Sequence, residues 1–294
     1  MKITNQLGLP QPFVSAAESE HTYTPRRYGL TSLLKSTRES ILQRRHDDEI
    51  EQDVADMAWL IFGTAVHSVL EHAKETDTQL KENWVSADMP NGYVVSGVFD
   101  LYDDATGTVT DYKTASVWKV IFADWDDYRK QTLLYCWILR QMGFDAHRGE
   151  IVALLKDHSK TDALRKHDYP PFPIYRIGWD FGDADWAWAK SFLEAKFAEI
   201  EAAEKLPDEQ LPECTADERW HKPDKWAAKK PANKKATKLF DDEAEANAYA
   251  EANKLVVEFR QGEDAKCMKY CSAREFCDHY KEITKEAGDD GSDE

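Results

Sequence analysis

The stretch Val94-Val95-Ser96-Gly97-Val98-Phe99-Asp100-Leu101-Tyr102-Asp103, the polar turn Asp104-Ala105-Thr106-Gly107, and Thr108-Val109-Thr110-Asp111-Tyr112-Lys113-Thr114 together decide how the rest of the chain is read. Both arms are rich in β-branched and aromatic residues around a short link that ends in Gly, the pattern of two antiparallel strands. With Asp103 facing Thr108 across the turn, counting back sets Asp100 opposite Asp111. Lys113 lies on the same face as Asp111, one pleat further on. Like charges opposed in a sheet repel, and on arms this apolar burial adds to the cost. A divalent cation offsets both terms, because hard ions such as Mg²⁺ and Mn²⁺ take carboxylate oxygens together with water and substrate phosphate. Lys113 beside that ion could orient or deprotonate a water and balance charge on a phosphate. The same residues also read as an ordinary surface hairpin with solvated charges, and both readings stand on the hairpin alone.

Outward from the hairpin the pattern is mostly helical. Gly63-Thr64-Ala65-Val66-His67-Ser68-Val69-Leu70-Glu71 has helical apolar spacing and sets His67 and Glu71 on one face, away from Val66 and Leu70. Another helix runs from about Asp53 into Trp59-Leu60-Ile61-Phe62. A basic helical segment begins near Leu30 with Arg38, Arg44 and Arg45, and residues 1–22, with Pro10 and Pro12, read as a loose arm. Downstream, Ser116 to Ala123 reads as a short helix or turn, and Asp126 to Gly143 as a long amphipathic helix with Gln131 and Tyr135 four apart. Glu150 to Leu155 is a buried-type strand, Ile174 to Trp179 an alternating one, and Ala184 to Lys205 a helix whose core contacts are Trp186, Phe192, Leu193 and Phe197. Past Pro207 and Pro212 a basic stretch from His221 to Lys238, with Trp220 and Trp226, reads either as a nucleic-acid surface or as a solvated loop. A helix around Asp241 to Ala252 and a strand from Leu255 to Phe259 lead to Cys267, Cys271 and Cys277. The acidic end is expected to be disordered.

The composition, 294 residues with 42% hydrophobic content, 10 Trp, 12 Tyr and 12 Phe, implies a sizeable buried core. No stretch reads as apolar enough to cross a bilayer, and MKITNQLGLPQPF lacks the regions of a signal peptide. Five Cys, three crowded near the end, suit ligands in a reducing compartment better than a disulfide framework. A net charge of −17 excludes a non-specific nucleic-acid coat, while an acidic protein can still hold a phosphate backbone along a local basic path.

Taken in order, GTAVH, SGVFD, DYK and QTLLY resemble the RecB-like branch of the PD-(D/E)XK nuclease superfamily, particularly its phage and CRISPR-associated exonucleases. The resemblance covers roughly residues 30 to 180 and implies an α/β, restriction-endonuclease-like core, a central mixed β-sheet flanked by helices. Its domain reading is an N-terminal arm (1–29), a nuclease core (30–206), a Lys-rich and Cys-rich module (207–282) and an acidic tail (283–294). It implies His67, Asp100, Asp111 and the Tyr112 carbonyl as ligands of Mg²⁺ or Mn²⁺, with Asp100, Asp111 and Lys113 catalytic. Gln131 and Tyr135 match a Q-x-x-x-Y motif that supports the site and approaches DNA. The activity implied is metal-assisted phosphodiester hydrolysis on single-stranded or duplex ends of DNA, in phage or mobile-element recombination, repair or replication. The location expected is the cytoplasm, that of the host if phage-encoded. A recombination or replication protein and a second copy of the chain are candidate partners, and no membrane is expected. An imidazole among the ligands favours Mn²⁺.

Some of these nucleases are similar in carrying three C-terminal Cys and one upstream Cys that hold a [4Fe–4S] cluster. Here the first gap is C-x3-C and no Cys precedes Cys136, so Cys214 is the fourth candidate beside Cys267, Cys271 and Cys277. Zinc, with His221 or His279 completing the set, and unliganded thiols are the other readings. Cys136, among apolar residues, reads as a small buried hydrophobe. Against the nuclease stands a silent binding scaffold of the same fold, and a third reading is a nuclease that trims fragments in CRISPR adaptation.

Overall fold

The hairpin forms as its sequence predicts. In the computed structural model, which describes residues 1–18 and 23–289, Asp103 pairs with Thr108, Tyr102 with Val109 and Leu101 with Thr110. Gly107 turns the chain at φ +59°, where an added Cβ would meet the Asp145 carbonyl oxygen at 2.4 Å. Only glycine fits there.

The chain divides into two units, residues 1–205 and 206–294. In the first, the order is β1 (Lys2–Thr4), α1 (Gln11–Ala17), β2 (Arg27–Gly29), α2 (Leu30–Leu33), α3 (Thr37–Arg45), β3 (Glu51–Asp53) and α4 (Ala58–Glu71). There follow β4 (Gln79–Asp88), β5 (Val94–Asp103), β6 (Thr108–Ala115), α5 (Val117–Ile121), α6 (Asp126–Gln141), β7 (Arg148–Leu155), α7 (Lys160–Arg165), β8 (Ile174–Asp180) and α8 (Asp183–Ala203). Six strands form one mixed sheet in the order β2-β5-β6-β7-β8, with β4 also on β5. β2 with β5 and β6 with β7 are parallel, and the other pairs are antiparallel.

Two strands share one edge of β5. β2 pairs with Val94–Ser96 and β6 with Leu101–Asp103, so Gly97 to Asp100 lie between two ladders. This break is where the side chains of the site enter.

The core follows from the apolar spacing of two helices. α6 turns Leu133, Leu134, Ile138 and Leu139 onto Phe99, Tyr102 and Val109, and α8 adds Leu193, Phe197 and Ile200 to the same cluster. Each fully buried Leu or Ile contributes about 1.5–3 kcal/mol. Glu204, at the end of α8, accepts from Tyr28 Oη at 2.6 Å and Tyr93 Oη at 2.7 Å. A second cluster joins Ile151, Ala153 and Leu155 of β7 to Ala115, Val117, Trp125 and Tyr169. Cys136 is fully buried, its thiol donating to the Arg148 carbonyl.

Three expectations change. The N-terminal segment is docked, not loose: β1 runs parallel to β3, and Ala17 of α1 packs with Val54 and Met57. Its strand is three residues long with a partner 49 residues away, so no local periodicity announces it. The strand β4 lies in a stretch that the apolar pattern leaves unassigned. Finally, Val54–Glu71 is, by length and hydropathy alone, long and apolar enough to cross a membrane, and only 11% of it is buried.

The second unit holds the Lys-rich and Cys-rich segments. β9 (His221–Lys222), β10 (Lys225–Lys229), β11 (Lys238–Phe240), α9 (Glu243–Asn253), β12 (Val256–Arg260), β13 (Glu263–Asp264), α10 (Ala265–Lys269) and α11 (Asp278–Asp289) follow in order. β10 lies between β11 and β12 in an antiparallel sheet that packs Ala228 and Phe240 on Ala246 and Ala250 of α9. The segment that reads as a nucleic-acid surface or a solvated loop therefore contains β9, β10 and the first residue of β11, with Lys225 paired to Asp241 and Lys229 to Glu258. α11 carries helix through residues 283–289 of the expected tail, and 290–294 lie outside the described residues.

Candidate active site

Asp100 sits where β5 and β6 part. The ladder stops at Leu101 and Thr110, and the Asp100 carboxylate takes over, accepting from the Tyr112 amide through Oδ2 at 2.6 Å. Its Oδ1 lies 3.3 Å from His67 Nδ1, which α4 delivers from above Tyr112, with the two rings edge to face at 6.4 Å. That bond raises the His67 pKa against the opposing effect of burial.

Asp111 is 3% exposed. Gln131 Nε2 donates to its Oδ1 at 3.0 Å, and Lys113 Nζ lies 2.6 Å from its Oδ2. That ion pair is the one charged contact of the buried Oδ2 among the described residues, and a carboxylate oxygen has two lone pairs, so one is left for an ion. Burial, with Asp100 nearby, raises the Asp111 pKa to about 6 although Lys113 pulls it down. Lys113 also lies 5.3 Å over the Tyr128 ring.

Tyr135 follows Gln131 by one turn of α6. It is buried, and its hydroxyl donates to the Val98 carbonyl at 2.7 Å, satisfying a β5 group in the break between β2 and β6. A Cβ on Gly97 would lie 2.9 Å from the Tyr135 ring. The glycine of the SGVFD motif is there for this approach.

Glu82 was not among the residues the sequence singled out. On β4 the pairs Lys81–Leu101 and Asn83–Phe99 flank it, so it stands across from Asp100, at φ +48°. Its Oε1 is 3.7 Å from His67 Nδ1, and ligand atoms of His67, Glu82 and Asp100 lie within 4.8 Å of one another. Burial and the Asp100 charge raise its pKa. The signal for it was the register: once β4 is read as a strand, an acid opposite Asp100 becomes visible.

These donors, carboxylate oxygens, one imidazole and an acceptor with a spare lone pair, fit a hard or borderline divalent ion. Lys113 and His67 offset part of the like charge gathered there, and a divalent cation would offset the rest.

Of the cysteines, Cys214 and Cys277 lie close enough to Cys267 to help burial and Asp264 raise its pKa to about 11. Asp264 accepts from His221 Nδ1 at 2.7 Å and His279 Nε2 at 2.6 Å, and Arg219 is 3.0 Å away. Asp264, Cys267 and His279 form a second group with ligand atoms within 4.8 Å.

A central mixed sheet flanked by helices, with an acidic pair and a lysine on its hairpin, is a restriction-endonuclease-like core. A family model described as the PD-(D/E)XK nuclease superfamily matches residues 79–278, and the chain belongs to that superfamily. No curated protein matches it. Among solved structures, SSO0001 aligns at 15% identity and TM-score 0.46, over 60% of this chain and 78% of its own. The alkaline exonuclease LHK-Exo from Laribacter hongkongensis aligns at 14% identity and TM-score 0.38, over 60% and 89%. A phage related exonuclease from Haemophilus somnus 129PT aligns at 11% identity and TM-score 0.26, over 56% and 75%.

Proposed function

We propose that the protein is a metal-dependent DNA nuclease, an exonuclease serving phage or mobile-element recombination, repair or replication. The observation that carries this is the buried Asp111 held by Gln131 and Lys113 beside Asp100, His67 and Glu82. Asp100, Asp111, His67 and Glu82 would hold the ion, with the Tyr112 carbonyl as a further candidate. Gln131 fixes the Asp111 carboxylate, and Lys113 brings positive charge to the phosphate as negative charge builds on it. A bound Mg²⁺ or Mn²⁺ would supply a water of lowered pKa and a counter-charge for the scissile phosphate. A silent scaffold would gain nothing from burying Asp111 beside Lys113 and Asp100.

The test is hydrolysis of 5′-labelled and 3′-labelled single-stranded and duplex DNA in Mn²⁺, Mg²⁺ and EDTA, beside Lys113→Ala. Metal-dependent products lost in the variant support the reading, and their ladder gives polarity. Intact DNA with folded protein would return the chain to the scaffold reading. Mn²⁺ should outperform Mg²⁺, and equal rates with His67→Ala unaffected would remove His67 as a ligand.

For the second unit the proposal is a [4Fe–4S] cluster on Cys214, Cys267, Cys271 and Cys277, supported by the nearness of Cys214 and Cys277 to Cys267. Brown protein with iron and acid-labile sulfide, lost in Cys271→Ala, is the expected result. Colourless protein with one zinc per chain would replace the cluster by a zinc site that draws on His279.

A further inference from the structure

The nuclease site accounts for His67 on α4 and leaves the rest of that helix unexplained. Trp59 is 60% exposed, with Leu60 and Phe62 exposed beside it, and the Trp59 and Phe62 rings meet edge to face at 6.2 Å. A second pair stands on α5, where Trp118 and Phe122, 56% and 72% exposed, stack at 5.6 Å and 23°. Large apolar rings bare to water on a folded surface mark a binding site.

The two pairs connect through the end of β6. A Cβ at Gly63 would lie 3.8 Å from Thr114 Oγ1, which places the middle of α4 against the residue next to Lys113. The Lys156 amide donates to the Ala115 carbonyl, and its ammonium lies 4.3 Å over the Trp59 ring. α5 opens at Val117, and Lys119 reaches back to lie 4.5 Å over Tyr128, the ring that Lys113 also faces. Aromatic and ammonium groups therefore alternate outward from the catalytic lysine. Of the nearby acids, Asp157 is engaged by Ser116 Oγ and the Val117 amide, and Asp124, itself exposed, pairs with Lys119 at 3.3 Å and would yield that ammonium to a phosphate.

We propose that Trp118, Phe122, Trp59 and Phe62 form a stacking platform for unpaired bases, with Lys156 and Lys119 on the phosphates, so that the site takes its DNA as a single strand. Interleaving is the reason for choosing this occupant. Protein interfaces are depleted in lysine at their apolar cores, whereas single-strand grooves combine stacking rings with basic side chains. A duplex offers its base faces only at its ends, so four exposed rings would find little to stack on along it. This proposal rests on the nuclease reading for the placement of the site, yet it concerns binding alone.

The experiment measures binding of fluorescent dT20 and of a blunt 20-mer duplex by anisotropy in EDTA, with wild type, Trp118→Ala/Phe122→Ala and Trp59→Ala/Phe62→Ala. Each double variant should weaken dT20 by about tenfold or more, leave the duplex within about twofold, and keep the wild-type circular dichroism. Trp118→Tyr, which retains a ring, should recover most of the affinity. If dT20 affinity is unchanged in both variants, or falls equally with duplex affinity, the platform is wrong. Loss of self-association in sedimentation, or of flotation with anionic vesicles, without loss of dT20 binding would assign the patch to a second copy or to a lipid surface and likewise overturn the proposal. Wild-type protein that binds dT20 through these rings but cuts no DNA in Mn²⁺ would defeat the nuclease reading and leave the platform standing.

Discussion

Gln131 on α6 donates to the buried Asp111 of β6 at 3.0 Å, across 20 residues of chain, and it is the only hydrogen-bond donor to Oδ1 among the described residues. A carboxylate held this way keeps its orientation, and its other oxygen, 2.6 Å from Lys113 Nζ, would be shared between that ammonium and an ion. Gln131→Ala should lower the cleavage rate about 10- to 100-fold and shift the metal titration to higher concentration. Gln131→Glu should be worse, because it adds a further negative charge directly against Asp111 in a site that already gathers Asp100 and Glu82. Wild-type rates in Gln131→Ala would show that Asp111 needs no such support.

Gly97 and Tyr135 are a single packing unit, since the hydroxyl that serves the Val98 carbonyl reaches it over the missing Cβ. Tyr135→Phe should cost about 1–3 kcal/mol in urea unfolding, by leaving a buried carbonyl unpaired. Gly97→Ala should cost at least as much, because the clashing partner is a buried ring with no room to retreat. A Gly97→Ala protein as stable as wild type would mean that the ring does not sit where it is described.

Glu204 draws two tyrosine hydroxyls, from β2 and from the residue preceding β5, onto the end of α8. Burial and Glu204 both raise the Tyr93 pKa, to about 12, and that of Tyr28 further still. Glu204→Ala should therefore destabilise the protein by about 1 kcal/mol, because two part-buried hydroxyls lose a charged acceptor that water replaces in part. Glu204→Gln should recover part of this. Chemical denaturation of the three proteins checks the order.

What the sequence revealed follows from how local each signal was. Asp100, Asp111 and Lys113 share the hairpin of residues 94–114, so turn length and strand alternation sufficed to place them. Helices α6 and α8 were legible because Leu134, Ile138, Leu193 and Phe197 recur at helical spacing. β4 was missed because Leu80 and Trp84 are exposed and blur its alternation, and Glu82 was missed with it. β1 depends on residues 51–53, and the Lys-rich strands owe their existence to Phe240, Ala246 and Ala250, which close over Ala228. Tyr135, which its motif marks as supporting the site and approaching DNA, supports β5 through the Val98 carbonyl, a contact that no local pattern announces.

The raised Asp111 pKa makes the metal effect on stability depend on pH. With the unfolded value near 3.8 and the folded value about 6, the folded state holds the proton more tightly. The metal-free protein therefore keeps this group's favourable contribution below about pH 4 and loses it as pH rises through 6. An ion replaces the proton, so Mn²⁺ should raise the Tm more at pH 7.5 than at pH 5. The protons on His67 and Glu82, both raised in pKa, oppose the metal in the same direction. Differential scanning fluorimetry at the two pH values, with and without Mn²⁺, reads this directly. A larger shift at pH 5 would mean that the ion binds elsewhere.

Glu82 carries two costs, a left-handed backbone at φ +48° and a carboxylate facing Asp100. A non-glycine residue in that region loses about 1–2 kcal/mol, and persists where the surroundings hold it for a purpose. Glu82→Gly removes both costs at once. If Glu82 is a ligand, the variant should be at least as stable as wild type without metal, by about 1 kcal/mol, yet bind Mn²⁺ about tenfold more weakly. Glu82→Gln keeps the backbone strain and should show the weaker Mn²⁺ binding with little gain in metal-free stability. Calorimetric titration of Mn²⁺ and urea unfolding in EDTA separate the two effects. A Glu82→Gly protein with unaltered Mn²⁺ affinity would make Glu82 a partner of His67 and leave the ion to His67, Asp100 and Asp111.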